Sequence, residues 1–230
     1  MGLQNKTVTQ SMLNFWQKVI PERQFYTSTL DSSLNRTLTI PSNIISIGDY
    51  AFSAIVSTDS IIGQNVKYIG LQSFSMITYL NTVNFPEVLN IGNNAFQNCI
   101  YLNNINFPKV KKIGNQAFAG AKVQNKDISF PDCFAIGTAA FSNAGMSSIF
   151  LPKIESFETQ TFQNCSKLTT VTLGSNLARI VTNTFQGCTS LATINVMGDS
   201  SCLTAQTLGT LTPAQLNNAT IVYDYTPPTD

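Results

Sequence analysis

Phenylalanine returns along this chain at a nearly fixed interval. Ile, with Phe five residues later, recurs as Ile47/Phe52, Ile69/Phe74, Ile91/Phe96, Ile113/Phe118, Ile136/Phe141 and Ile180/Phe185, and one further copy sets Phe157 in the Ile place ahead of Phe162. The seven phenylalanines lie 22, 22, 22, 23, 21 and 23 residues apart. A unit of that length cannot bury its apolar face alone. It must stack on its neighbours, and a fixed period of this size marks a solenoid.

Each coil reads as two parts. The first, Ile-x-x-x-x-Phe and the few residues after it, has apolar places at Ile, Ala, Phe and a small residue, which suits one irregular or helical turn. The second is extended, as in Leu80 to Pro86, Leu102 to Pro108, Met146 to Pro152, Leu168 to Gly174 and Leu191 to Met197. Val83 and Phe85 alternate there with Thr82 and Asn84, the period of a strand with one buried face. Pro41, Pro86, Pro108, Pro131 and Pro152 close these strands at one register, because proline has no N–H for a ladder. Gly63 and Gly174 take the same place and open matching links, Gly63-Gln64-Asn65-Val66 and Gly174-Ser175-Asn176-Leu177 beside Pro41-Ser42-Asn43-Ile44. One strand per coil in a constant direction predicts a parallel sheet along the rod. The phenylalanines are then a continuous aromatic spine, with Phe85, Phe107 and Phe130 starting a second column. The glycine that follows Ile is read as serving a backbone turn.

Both ends depart from the period. Residues 1–33 are expected to form an N-terminal cap: Thr9 caps a helix running to about Ile20, where Pro21 stops it. Met12, Leu13, Trp16, Val19 and Ile20 share one face of that helix. Its alternative use is to dock into a larger assembly. Residues 34–197 hold seven to eight coils. Residues 198–230 are read as a C-terminal cap and tail, with Leu203, Leu208, Leu211 and Leu216 in a short closing helix, Ile221-Val222-Tyr223 as a last strand and Pro227-Pro228 opening a tail.

Composition narrows function mainly by exclusion. The chain has 230 residues, a formal charge of +1 and only 11% charged residues. That balance gives no general attraction to nucleic acid or anionic membranes. Lys109, Lys111, Lys112, Lys122 and Lys126 fall close together and read as a solvated convex edge. No stretch is long and apolar enough for a membrane span, and Met1 to Lys6 show neither a signal-peptide core nor a myristoylation pattern. There is no histidine. Ser-His and Cys-His nucleophile arrangements and mixed Cys/His zinc sites are therefore excluded, and the five cysteines lack the paired spacing of a four-Cys site. Glu155 and Glu158 read as a surface pair rather than glycosidase carboxylates facing across a cleft. No phosphate-binding glycine loop is present. The expectation is a non-enzymatic protein without cofactor or metal. Cys99, Cys165 and Cys188 each follow a spine Phe by three residues and read as small buried hydrophobes. Cys165 and Cys188 lie in adjacent coils, so a bond between them is geometrically conceivable.

The pattern Leu-x-x-Ile-x-Phe-Pro, a short link, Ile-Gly-x-x-Ala-Phe-x-x-Cys and then Leu resembles the BspA-like leucine-rich repeats, the Treponema pallidum type. The match runs from about Leu34 to Met197. The resemblance implies an α/β solenoid: a right-handed leucine-rich repeat with a parallel β-sheet on the concave face, short helical or irregular turns on the convex face and a helical N-terminal cap. It also implies a cell-surface or secreted bacterial protein that binds host proteins, matrix or other cells, and it supplies no catalytic residues. The coil holding Ser60 departs from the pattern, because it lacks the usual buried Leu or Ile. A shorter likeness lies in Leu3-Gln4-Asn5-Lys6-Thr7-Val8-Thr9, which looks like the opening of some phage or prophage structural proteins carrying such repeats. It implies a structural or receptor-binding part of a virion.

Outward strand positions are the candidate binding residues: Thr82, Asn84, Asn104, Asn106, Asp127, Ser129, Ser148, Phe150, Thr170, Thr172, Thr193 and Asn195, with Thr37, Thr39, Asp59 and Ile61 in the first coils. They make a field of hydroxyls and amides around one aromatic, Phe150. Such groups can simply pair across strands and keep the sheet soluble. They can equally form a recognition surface for a protein or glycan, with Phe150 as its anchor.

Overall fold

The computed structural model describes residues 7–26, 28–30, 36–123, 127–178, 180–181, 183–202 and 219–227. The chain is a parallel-strand β-solenoid, as the period predicts. One column of strands is the expected one. Thr37–Ile40, Ser60–Gly63, Thr82–Asn84 and Asn104–Asn106 form a four-stranded parallel sheet. Asp127–Ser129, Ser148–Leu151, Thr170–Leu173, Thr193–Val196 and Thr220–Val222 form a five-stranded one. The last of these strands is the one expected at Ile221-Val222-Tyr223. The leucines assigned to a closing helix lie outside the described residues.

A second strand in most coils corrects the reading of one strand per coil. The Ile that opens each Phe motif ends a short strand, and Lys18–Ile20, Ile44–Ile47, Tyr68–Ile69, Asn90–Ile91, Lys112–Ile113, Ala135–Ile136 and Ser156–Phe157 pair as one seven-stranded parallel sheet. Most of these strands are two residues long, too short for a period of two to be visible in sequence.

Between the sheets runs the spine. Rings of Phe52, Phe74, Phe96, Phe118, Phe141, Phe162 and Phe185 stack with centroids 5.1 to 5.7 Å apart. Phe85 and Phe107 stack beside them at 6.0 Å, and Phe130 touches Phe141 at 5.9 Å. Each ring is essentially inaccessible to solvent, and full burial of one such side chain stabilises by roughly 1.5–3 kcal/mol.

An eighth ring belongs to this stack. Phe25 lies 5.1 Å from Phe52, within the segment read as a cap. Ile20-Pro21-Glu22-Arg23-Gln24-Phe25 is itself an Ile-x-x-x-x-Phe motif, hidden because Phe25 precedes Phe52 by 27 residues rather than 22. The helix is correspondingly short. Thr9 caps it as expected, its hydroxyl accepting from the Met12 N–H, but it spans only Gln10–Asn14. Lys18–Ile20 instead adds to the seven-stranded sheet against Ile44–Ile47. Pairing of Val19 and Ile20 with an open sheet edge outweighs continuing a helix of one turn, which is marginal alone. Leu13 and Ile20 are buried and Met12 and Trp16 pack on the core, whereas Val19, expected on the same face, is exposed.

The turns around each spine Phe are not helical, for a backbone reason. Tyr50, Gln72, Asn94, Gln116, Ala139, Gln160 and Asn183 stand two residues before it with positive φ. Ala54, Met76, Asn98, Gly120, Asn143, Asn164 and Gly187 stand two residues after it, also with positive φ. Left-handed residues at these intervals break the run of right-handed dihedrals a helix needs. Their N–H groups reach the next coil instead: Tyr50 donates to the Leu71 carbonyl, Phe52 to Ser73 and Ala54 to Ser75, each at 2.8 Å. Asparagine recurs in these columns because it tolerates that conformation better than most residues.

The glycine after Ile has a different task from the one assigned. None of Gly48, Gly70, Gly92, Gly114 and Gly137 has positive φ, so none is required by a turn. A Cβ on Gly92 would come within 2.6 Å of the Gly70 carbonyl carbon, and one on Gly114 within 2.7 Å of the Asn93 nitrogen. The residue is small because the preceding coil's backbone lies directly against it. Beside this column Asp49, Asn93 and Asn115 each accept, through Oδ1, the N–H of Leu71, Asn115 and Thr138 at 2.7, 2.8 and 2.9 Å.

Candidate functional site

Parallel pairing aligns the candidate binding residues in rows. Thr82 lies opposite Asn104 and Asn84 opposite Asn106. Asp127, Ser148, Thr170 and Thr193 make one row of the five-stranded sheet, and Ser129, Phe150, Thr172 and Asn195 the other. Two of the sequence assignments shift. Ile61 pairs with buried Val83 and is itself buried, so Ser60 and Ile62, not Asp59 and Ile61, face outward in that coil. Thr58 explains the shift: it fills the buried place that Leu80 and Leu102 occupy later, and its hydroxyl finds no hydrogen-bond partner among the described residues.

Exposure is uneven across the field. Asn104, Asn106, Asp127 and Ser129 are exposed. Thr82, Asn84, Ser148, Phe150, Thr170 and Thr193 are partly covered, and Thr172 and Asn195 are buried. Phe150 therefore does not stand clear of the sheet as a lone aromatic between small residues suggests. Several polar groups satisfy one another: the Asn106 amide donates to Asn84 Oδ1 at 2.7 Å, Ser148 Oγ to Asp127 Oδ1 at 2.6 Å, and Asn195 to Thr172 Oγ1 at 3.4 Å. These bonds orient the row and leave exposed carbonyl and carboxylate oxygens free to meet donors. The positions are uncharged apart from Asp127, and the exposed ones are Asn104 and Asn106 on the edge strand of one sheet and Asp127 and Ser129 on the edge strand of the other.

The cysteines are structural. Cys99, Cys133, Cys165 and Cys188 are buried thiols. Those of Cys99, Cys165 and Cys188 donate to the carbonyls of Phe74, Phe141 and Phe162 at 3.2, 3.0 and 3.0 Å. Burial pushes the Cys99 thiol up to about 12, and the Cys188 hydrogen bond together with burial pushes Cys165 upward. Thiolate is the reactive form, so Cys99 and Cys165 are chemically quiet, whereas the hydrogen bond with Cys165 draws the Cys188 thiol below its ordinary value.

Two surface features were not found from the sequence. At the bend between the Phe turn and the long strand, Tyr79 and Tyr101 stack in parallel at 6.2 Å with both rings exposed. Arg36 lies over Tyr79 at 5.6 Å and Lys122 over Tyr101 at 5.5 Å. The 22-residue separation of the two tyrosines, each just before the buried Leu, was the available signal. The other feature is a cleft at the N-terminal end, lined by Gln17, Lys18, Ser42, Asn43, Ile45, Asn65, Lys67 and Glu87. Among the described residues no helix is long and apolar enough to cross a membrane.

The family model described as BspA type leucine rich repeat region, in six copies, matches residues 4–124 and 89–205. No curated protein matches the chain. Among solved structures, a leucine-rich cell surface protein from Faecalibacterium prausnitzii is similar, with 20% identity, a TM-score of 0.45, and 89% of this chain and 62% of that one covered. The Treponema pallidum leucine-rich repeat protein has 12% identity and a TM-score of 0.38, over 90% of this chain and 74% of that one. The pneumococcal vaccine antigen PcpA has 13% identity and a TM-score of 0.37, over 98% and 93%. The chain thus spans under two thirds of the Faecalibacterium protein's length.

Proposed function

Because this chain belongs to the BspA-type leucine-rich repeat family, we propose that it is a non-catalytic adhesion module of a bacterial surface or secreted protein, binding a protein or glycan on its long-strand face. It needs no cofactor, and nucleic acid and membrane insertion play no part. One observation carries the reading: Asn104 and Asn106, on the edge strand of the four-stranded sheet, and Asp127 and Ser129, on the edge strand of the five-stranded one, stand exposed on strands whose other side chains pack on the core. A rigid scaffold holds their amide, hydroxyl and carboxylate groups in a fixed array, and preorganisation of that kind lowers the ordering cost of binding. Phe150 lies in the same row as Ser129, where its partly covered ring offers an anchor at the field's edge. The test is a glycan and matrix-protein array, repeated on hits with two variants. Phe150→Ala should weaken binding by ~2 kcal/mol, a hot-spot magnitude. Joint replacement of Asn104 and Asn106 by Ala should abolish it. Unchanged binding by both variants, with unchanged melting temperature, would move the function off this face.

Phe15 and Val19 favour a second reading. They are 75% and 46% exposed at the N-terminal end, as expected of a segment that docks into a larger assembly such as a virion. Phe15→Ser with Val19→Ser leaves the stacked Phe25 in place, so it tests docking without opening the array. Loss of co-assembly with neighbouring gene products would support docking, and retention would argue against it.

A further inference from the structure

The N-terminal cleft lies apart from the long-strand face, and its chemistry is different. It spans three successive levels of the rod: Gln17 and Lys18 on the first, Ser42, Asn43 and Ile45 on the second, Asn65 and Lys67 on the third, with Glu87 beyond. Its volume is ≈ 680 Å³, within the ~300–1,000 Å³ of small-ligand sites. The floor comes from the repeated link. Asn43 donates to the Trp16 carbonyl and Asn65 to the Ser42 carbonyl, each at 2.7 Å. These bonds hold both carboxamides in place and leave their oxygens free to accept.

Lys18 and Lys67 bracket the cleft. Lys18 pairs with Ile44, and the Lys67 N–H donates to the Ile45 carbonyl. The two lysines are thus two strand spacings apart, ~10 Å at the backbone, with exposed Ile45 between them. Glu87 does not neutralise them, because Lys109 already pairs with it at 2.6 Å. Neither lysine has an ion-pair partner among the described residues. Lys18 is placed by an irregularity: it sits at a register shift in the sheet, with φ 62. That backbone conformation is uncommon for a residue other than glycine.

We propose that this cleft is a binding site for an acidic oligosaccharide, with its anionic groups on Lys18 and Lys67 and a sugar face resting on Ile45. Gln17, Ser42, Asn43 and Asn65 supply the amides and hydroxyl that pair with sugar hydroxyls. A carboxylate and a sulfate would both satisfy the lysines, so the acidic character, rather than one group, is the recognised feature. The spacing of the two cations favours a chain of sugars over a single anion.

Calorimetric titration at low ionic strength tests this, using a hyaluronan tetrasaccharide, a heparin tetrasaccharide, neutral chitotetraose and hexaglutamate. Binding of one or both acidic sugars, and not of chitotetraose, is expected. A preference for heparin would identify sulfate as the anion and equal binding would identify carboxylate. The double variant Lys18→Gln/Lys67→Gln should weaken that binding by ~10-fold or more, and added salt should weaken the wild-type interaction. Lys67→Gln alone, just ahead of the Tyr68–Ile69 strand and clear of the register shift, guards against misfolding and should show part of the loss. Phe150→Ala should leave the titration unchanged, which separates this site from the long-strand face. No binding by either acidic sugar, equal binding of chitotetraose or hexaglutamate, or full retention by the correctly folded double variant would overturn the proposal.

Discussion

The rod's two strand columns are built to different tolerances. The short-strand column runs as one seven-stranded sheet, while the long-strand column divides into sheets of four and five strands. The division falls between Asn104–Asn106 and Asp127–Ser129. Phe118 precedes Asp127 by nine residues, where Phe96 precedes Asn104 by eight, and the following coil compensates, with Phe141 only seven before Ser148. The spine crosses the same point undisturbed, Phe118 stacking on Phe141 at 5.1 Å. Continuity therefore resides in the glycine column and the rings, where backbones touch. The long-strand face absorbs a one-residue irregularity and remains free to vary in shape.

If that is right, substitutions should rank by their closeness to the spine. Phe96→Ala, between two stacked neighbours, should cost ~3–5 kcal/mol in denaturant unfolding, the range for a buried aromatic cut to Ala. A cost below ~1 kcal/mol would remove the spine from its role. Gly92→Ala forces a methyl onto the Gly70 carbonyl and should cost ~1–3 kcal/mol, as overpacking does. The same measurement on Ser129→Ala, on the irregular side, should show almost no change. Thr58→Val is expected to act in the other direction. It removes a buried hydroxyl that has no partner among the described residues while keeping the shape, and should stabilise by about 1 kcal/mol. Lys109→Ala should also matter little. Its ion pair with Glu87 is half exposed, and a loss under ~0.5 kcal/mol is expected; a larger one would mean that the convex edge contributes to the rod's continuity.

Much of this architecture was legible because side-chain type and spacing carry it. The spine, the proline-ended strands and their parallel order all follow from Ile, Phe and Pro at a fixed period. What was hidden depends on the backbone. Two-residue strands leave no alternation to read. The glycine column and a turn glycine look alike in sequence, and only the dihedrals separate them. Phe25 lies outside the period, so its place in the spine is hidden, and the helix ends at Asn14 rather than near Ile20 because the residues after it join a sheet. The binding field was legible as rows of residues but not as exposures. Thr172 and Asn195 have the same outward parity as Asn84 and Asn106, yet they are buried. The cleft brings Lys18 and Lys67 together across 49 positions through a register shift, which no local pattern announces.

The left-handed residues flanking each spine Phe have a consequence for how such a chain can change over generations. Around Phe52, Phe74, Phe96, Phe118 and Phe141 their N–H groups donate to the equivalent stretch one level along. Adding or removing a few residues there would strand several donors at once, whereas duplicating or losing a whole 22-residue stretch would hand every donor an equivalent acceptor. Length should therefore vary among relatives in steps of one level. Such a step would move the two ends, and whatever each end recognises, farther apart or closer together by ~5 Å without redesign of either.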